Sequence, residues 1–193
     1  MATTDGDQRG VYYDSHGYAS LVRRVSIEAI DILVVILLTF VISITAGTIL
    51  LPISASATDD ATSQRALGRV FIITFVVVSI LYFVVLKASR FRTLGYKLTG
   101  ADIVTLEGTN PSLLIHAYRF LFIVLGPLNI ALDLFWLGGD KNRQAIRDKF
   151  AKTYVIRRGA RPAGTGKIVF APYNFLGSSF IFREVARDES SAR

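Results

Sequence analysis

Two long uncharged runs dominate the pattern of apolar and polar positions. Residues 32–51, ILVVILLTFVISITAGTILL, hold no charge over 20 positions. At about 1.5 Å per residue, a helix of that length matches the roughly 30 Å hydrocarbon core of a bilayer. Residues 70–86, VFIITFVVVSILYFVVL, are likewise uncharged and sit at the short end of the spanning range. Each run predicts a transmembrane helix. A third apolar stretch, residues 113–137, is different: it carries His116, Arg119, Asn129 and Asp133, and Gly126-Pro127 interrupts it near the middle. Proline removes a backbone donor and kinks a helix, and each half alone is too short to cross. The stretch predicts a broken, re-entrant helical hairpin packed on the first two helices, with a tilted, kinked third span as the competing reading.

The segments between these runs complete the plan. KLTGADIVTLEG (97–108) and KTYVIRR (152–158) are rich in β-branched residues, and Gly108 with Asn110-Pro111 marks a turn. They can pair as a small antiparallel ribbon only if the third stretch returns to the side it left. The expected fold class is therefore an all-α membrane protein: two transmembrane helices, a re-entrant third hairpin and a small cytoplasmic two-stranded ribbon. Residues 1–22 read as a flexible cytoplasmic arm, 23–158 as the membrane domain, and 159–193 as a linker followed by an aromatic tail. Phe170, Tyr173, Phe175, Phe180 and Phe182 make that tail apolar, while Pro172 and Gly177 prevent a continuous span. Left in water such a segment invites aggregation, so it is expected to bind a partner protein or lie in the membrane interface.

Composition sharpens this picture. Mean hydropathy is +0.44 and 19% of residues are charged, against about a quarter in soluble domains. Net charge is +7, and more than half of the 22 Lys and Arg residues lie beyond residue 138. Arg23 and Arg24 precede the first run and Lys87, Arg90, Arg92 and Lys97 follow the second, whereas the intervening loop (52–69) carries Asp59, Asp60, Arg65 and Arg69. Basic residues stay on the cytoplasmic side, so both ends of the helix pair are expected there, touching anionic lipid. No aromatic-basic reading module accompanies the charge, which argues against nucleic acid. The absence of cysteine excludes disulfides and thiolate sites, and two histidines are too few for a histidine metal cluster.

The polar residues near lipid are the candidates for chemistry. In RRVSIEAID (23–31), Arg24, Glu28 and Asp31 share one helix face at i, i+4 and i+7. In the third stretch, folding at Gly126-Pro127 would bring Arg119 towards Asp133, or leave either to meet Asp31. Asp148 lies in a basic segment that offers it a partner. Together Arg24, Glu28, Asp31, Arg119, Asp133 and Asp148 form the expected polar membrane cluster, structural or, as the sharper alternative, a cation or proton site. No nucleophile-base arrangement, paired metal ligands or nucleotide loop is apparent, so neither catalysis nor a cofactor is expected.

The segments RRVSIEAID (23–31), RTLGYKLTGADIV (92–104) and DKNRQAIRDKFAKTYVI (140–156), in that order, resemble the RDD family of small bacterial membrane proteins. The arginine and two aspartates of the family name correspond by position to Arg24, Asp31 and Asp148. Arg147 stands where the family often has histidine, and Glu28 where it usually has an apolar residue. The resemblance implies a multi-pass protein of the bacterial cytoplasmic membrane; transport is suggested for the family, with cation/proton antiport attributed to some members. Three functions follow as expectations. The first is an accessory or scaffolding subunit packing on other integral membrane proteins through its helices and tail. The second is a homo-oligomeric cation/proton-coupled transporter using Arg24, Asp31 and Asp133. The third is a lipid-binding regulator acting through its basic C-terminal region.

Overall fold

The computed structural model describes residues 8–54, 60–124, 136, 140, 142–175 and 178–187. The chain forms two compact units, one of residues 26–98 and one joining residues 1–25 to 99–193. Helix α1 (Leu21–Ser54) begins in the second and continues into the first.

In residues 26–98, α1 is followed by α2 (Asp60–Ile80), which runs on into a π-helical segment, Leu81–Leu86. Stretches of 29 residues (Leu21–Ile49) and 23 residues (Gln64–Leu86) are apolar and long enough to cross a membrane, and most of their surface is not covered by protein. Val25, Leu33, Leu37, Phe40, Val41, Ile72, Ile73 and Val77 are all exposed. In water such a surface would be unstable, whereas lipid imposes no cost on it. The helices meet through Phe40 and Phe71, edge to face at 5.6 Å between centroids. In the wider π-helical turn, Tyr82, Phe83 and Val84 are buried. Helix α3 (Leu94–Thr99) follows.

The other unit overturns the all-α expectation, because it contains five strands in two antiparallel sheets. Strands β2 (Ala101–Thr105) and β3 (Thr153–Arg157) pair antiparallel, Ala101 opposite Arg157 and Thr105 opposite Thr153, within the two segments whose composition suggested a ribbon. The second sheet is β1-β4-β5, built from β1 (Arg9–Tyr12), β4 (Gly164–Phe175) and β5 (Ser178–Val185). Residues 9–12, expected in a flexible arm, pair with residues 164–167, and the expected free tail is a hairpin with Ile168 opposite Val185 and Tyr173 opposite Phe180. The physical reason is satisfaction of the backbone: hydrogen bonds along this ladder, together with Val11 N–H to Leu106 O at 2.8 Å and Ala19 N–H to Val155 O at 2.9 Å, hold segments that had looked polar or linker-like. The core beneath is aromatic: Tyr13, Tyr18 and Tyr154 pack with Val104, Leu106, Ile156 and Val185. Tyr18 and Tyr154 lie 5.5 Å apart between centroids.

Among the described residues this unit also holds helices α4 (Leu113–Val124) and α5 (Ile146–Phe150). The break at Gly126-Pro127, with Asn129 and Asp133, lies outside the described residues.

One close approach makes the hairpin's seat testable. A Cβ on Gly166 would collide with the carbonyl oxygen of Ala186. Gly166→Ala should therefore force the strands apart and destabilise this unit by about 1–3 kcal/mol, the usual cost of overpacking. Faster proteolysis between residues 160 and 187 in detergent-solubilised protein would register it.

Candidate functional site

Helix α5 is a short turn in which the consecutive residues Asp148 and Lys149 carry opposite charges and are both buried. Asp148 is 0% exposed; its Oδ2 accepts a hydrogen bond from Arg24 of α1, and its Oδ1 forms an ion pair with Arg119 of α4 at 2.5 Å. Its Oδ2 also accepts the Ala145 N–H at 3.0 Å, closing the first turn of α5. The guanidinium groups have second partners: Arg24 donates to the carbonyl of Arg143 at 2.5 Å, and Arg119 to the hydroxyl of Thr153 on β3. Burial alone would raise the pKa of Asp148, but the charges of Arg119, Arg24 and Arg147 outweigh it and hold the carboxyl well below the usual carboxylate range. The group stays ionised.

Lys149 forms the counterpart. Its ammonium contacts Asp140 Oδ1 at 2.6 Å, Glu184 of β5, and the Tyr173 hydroxyl at 2.8 Å. Asp140 in turn accepts from the backbone N–H groups of Asn142 and Gln144 at 3.1 and 2.9 Å. Burial raises the pKa of the Tyr173 phenol, and the hydrogen bond to Glu184 and the charge of Asp140 add to the rise, so Tyr173 remains a neutral donor. Trp136 and Phe182 pack around it, with ring centroids 5.6 and 5.7 Å from that of Tyr173.

Asp31 belongs to the other unit. It is fully buried on α1 and is bound by neutral donors: Tyr82 OH at 2.9 Å, Thr93 OH at 2.7 Å and Gly95 N–H at 2.7 Å. Tyr82 also accepts the Leu94 N–H at 3.0 Å. The π-helical turn thus places a phenol, and the residues just before and within α3 a hydroxyl and an amide, around one carboxylate. Gly95 has no room for a side chain: a Cβ there would lie 2.5 Å from Ile27 O and 2.7 Å from Asp31 Oδ1.

Of the expected polar cluster, the structure brings together Arg24, Arg119 and Asp148 and gives Asp31 its own partners. Glu28 is half-buried on α1, and Asp133 lies outside the described residues. In the tail, Tyr173 and Phe182 turn inward, Phe180 is half-buried, and Phe170 is exposed; the side chain of Phe175 lies outside the described residues. The sequence reading missed Tyr82, Thr93 and Gly95 as the cradle of Asp31, and Lys149 with Asp140 and Glu184 as a second network. A signal for the cradle was available, because Thr93 and Gly95 stand in the segment 92–104 that carries the resemblance. Among the described residues no group of three His, Asp or Glu is placed to hold a metal.

The segments that carry the resemblance are thus physically coupled: 23–31 meets 140–156 through Arg24 and Asp148, and meets 92–104 through Asp31, Thr93 and Gly95. The RDD family model matches residues 18–152. The chain belongs to the RDD family. No curated protein and no solved structure matches it. Family membership and two apolar helices of spanning length make this RDD chain a membrane protein.

Removing one partner of a buried ion pair leaves the others uncompensated, at about 3–5 kcal/mol. Asp148→Asn should therefore destabilise the protein more than Asp148→Asn combined with Arg24→Met, measured as thermal unfolding in detergent. The pH dependence has a defined sign. The unfolded Asp148 carboxyl takes up its proton near pH 4, about its ordinary value, while the folded one does so well below. Its contribution is complete at neutral pH and lost as pH falls below about 4. The asparagine variant should show a smaller loss of stability over that acid range.

Proposed function

We propose that this RDD-family chain is a two-span protein of the bacterial cytoplasmic membrane, with both ends cytoplasmic, that acts as a non-catalytic accessory or scaffolding subunit for other integral membrane proteins. Strand pairing supports the shared compartment. Residues 9–12 pair with 164–167, Tyr18 bridges Ile156, and β2 pairs with β3, and hydrogen-bonded neighbours must lie on one side of a bilayer. Residues 106–152 therefore return to the side they leave, and residues 26–98 supply the crossings. The basic flanks Arg23, Arg24, Lys87 and Arg90 support a cytoplasmic assignment for that side.

The single observation that carries the scaffolding reading is the engagement of the charged groups. Arg24, Arg119, Asp148 and Lys149 are held in closed, buried networks, while the outward surfaces of the helices are apolar. Such a molecule offers packing surface, and two spans alone do not enclose a solute path. The hairpin adds Phe170 and Ile181, 62% and 68% exposed, on its outer side. A homo-oligomeric cation/proton-coupled transporter is the second reading. It is favoured by one feature, a fully buried aspartate, Asp31, in a spanning helix, hydrogen-bonded by the neutral groups of Tyr82, Thr93 and Gly95.

Since the chain has no cysteine, single introduced cysteines report topology cleanly. A membrane-impermeant maleimide applied to intact cells should label positions 64–66 and spare positions 14–16 and 160–162; labelling of one terminal site and not the other would overturn the shared compartment, and labelling of both would overturn its cytoplasmic side. Gentle solubilisation should co-isolate other membrane proteins, and Phe170→Ser with Ile181→Ser should weaken that association several-fold without unfolding the chain. A chain that travels alone, yet moves protons or cations in sealed liposomes in an Asp31→Asn-sensitive manner, would replace scaffolding with transport.

A further inference from the structure

Helix α4 divides its surface sharply. His116 and Arg119 are buried on one side, where Arg119 joins Asp148 and Thr153. On the opposite side Leu113, Leu114, Tyr118, Leu121 and Val124 are all exposed, Leu114 by 79% and Leu121 by 52%. At about 100° per residue these positions and Ala117 between them form one continuous arc. The arc contains no charge, and its single polar atom is the Tyr118 hydroxyl. Beside the helix, Leu114, Ile115 and Tyr118 line a crevice together with Phe150, Thr105, Glu107 and Lys152.

What covers this arc is decided by length, composition and position. The described length of α4 is 12 residues, about 18 Å against a hydrocarbon core of about 30 Å, and Arg119 on it is tied to Thr153 at the start of β3. The paired β2 and β3 on either side of it hold its ends to one face of the membrane. An apolar arc with an amphipathic tyrosine, opposite a face pinned by buried charge, is the construction of a helix lying in the plane of the membrane.

We infer that α4 is an interfacial helix whose Leu114–Tyr118–Leu121 face inserts into the boundary between lipid headgroups and acyl chains of the cytoplasmic leaflet. This rests on the two-span topology proposed above. The inserted face lays the folded unit against the bilayer, so the unit bears on lipid directly and not only through the spans that leave it.

The test uses nitroxide labels on single cysteines at Leu114 and Leu121 of the full chain, reconstituted in phosphatidylcholine–phosphatidylglycerol vesicles. Collision rates with oxygen, which concentrates in lipid, and with a water-soluble nickel chelate give the environment of each site. Thr109 is an exposed loop control, and Leu37 and Val41 on α1 are exposed span controls. Labels at 114 and 121 should show an oxygen-to-nickel ratio several-fold above that at 109 and below that at 37 and 41. A ratio equal to that at Thr109 would overturn the inference, as would exclusion of both reagents, which would mean coverage by protein. Labels at 37 and 41 that are themselves open to nickel would instead sink the two-span topology.

Discussion

A buried carboxylate is tolerable only where positive charge and hydrogen bonds surround it, and Asp148 meets that condition with groups drawn from α1, α4 and the turn before its own helix. Arg24 and Asp148 are 124 residues apart in sequence. Once that contact forms, the start of α1, the inner face of α4 and the first residue of β3, through Thr153, are fixed together. Lys149, the next residue, does the same with opposite sign towards Asp140, Tyr173 and Glu184. A five-residue helix thereby joins the segments that approach the membrane to the β1-β4-β5 sheet. Neither network is an optional surface ion pair; both are nearly dry, so a missing partner leaves a charge that water cannot reach.

The Asp31 site solves the same problem by other means. Its oxygens receive two hydroxyls and an amide, none of which brings a countercharge. Hydrogen bonds to a charged acceptor are among the stronger ones, and three of them fix the path of the chain between the second apolar helix and α3. Gly95 permits it, because its amide can approach only where no Cβ stands. Asp148, with Arg24, and Asp31 thus sit in two different structural settings.

The apolar helices were legible because an uncharged run of bilayer length is seldom anything but a span. The β2–β3 ribbon was legible from its β-branched residues and from the polar turn that follows β2. The tail was misread for a definable reason: Phe170 and Ile181 face outward while Phe182 faces inward, so apolar residues occupy both sides and the alternation that announces a strand is blurred. The arm at residues 9–12 was missed because RGVY has no pattern of its own until its partner strand is known. The ionic stripe was half right for a geometric reason. Residues at i and i+7 share a helix face but lie about 10 Å apart along it, so Arg24 and Asp31 could be seen to point the same way, while nothing local said that they would meet different segments.

That separation bears on function. A transporter cycle built on Asp31 must expose the carboxylate to water at some stage, which means breaking the hydrogen bonds from Tyr82, Thr93 and Gly95 together, since all three converge on the same two oxygens. Arg24 offers no help in that step, being committed to Asp148 and the Arg143 carbonyl. Moving it would strand a buried carboxylate that also holds Arg119. Each network resists displacement of its own part of α1. Networks that oppose motion in this way are what the proposed scaffolding role would use, and what a transport cycle built on Asp31 would have to overcome.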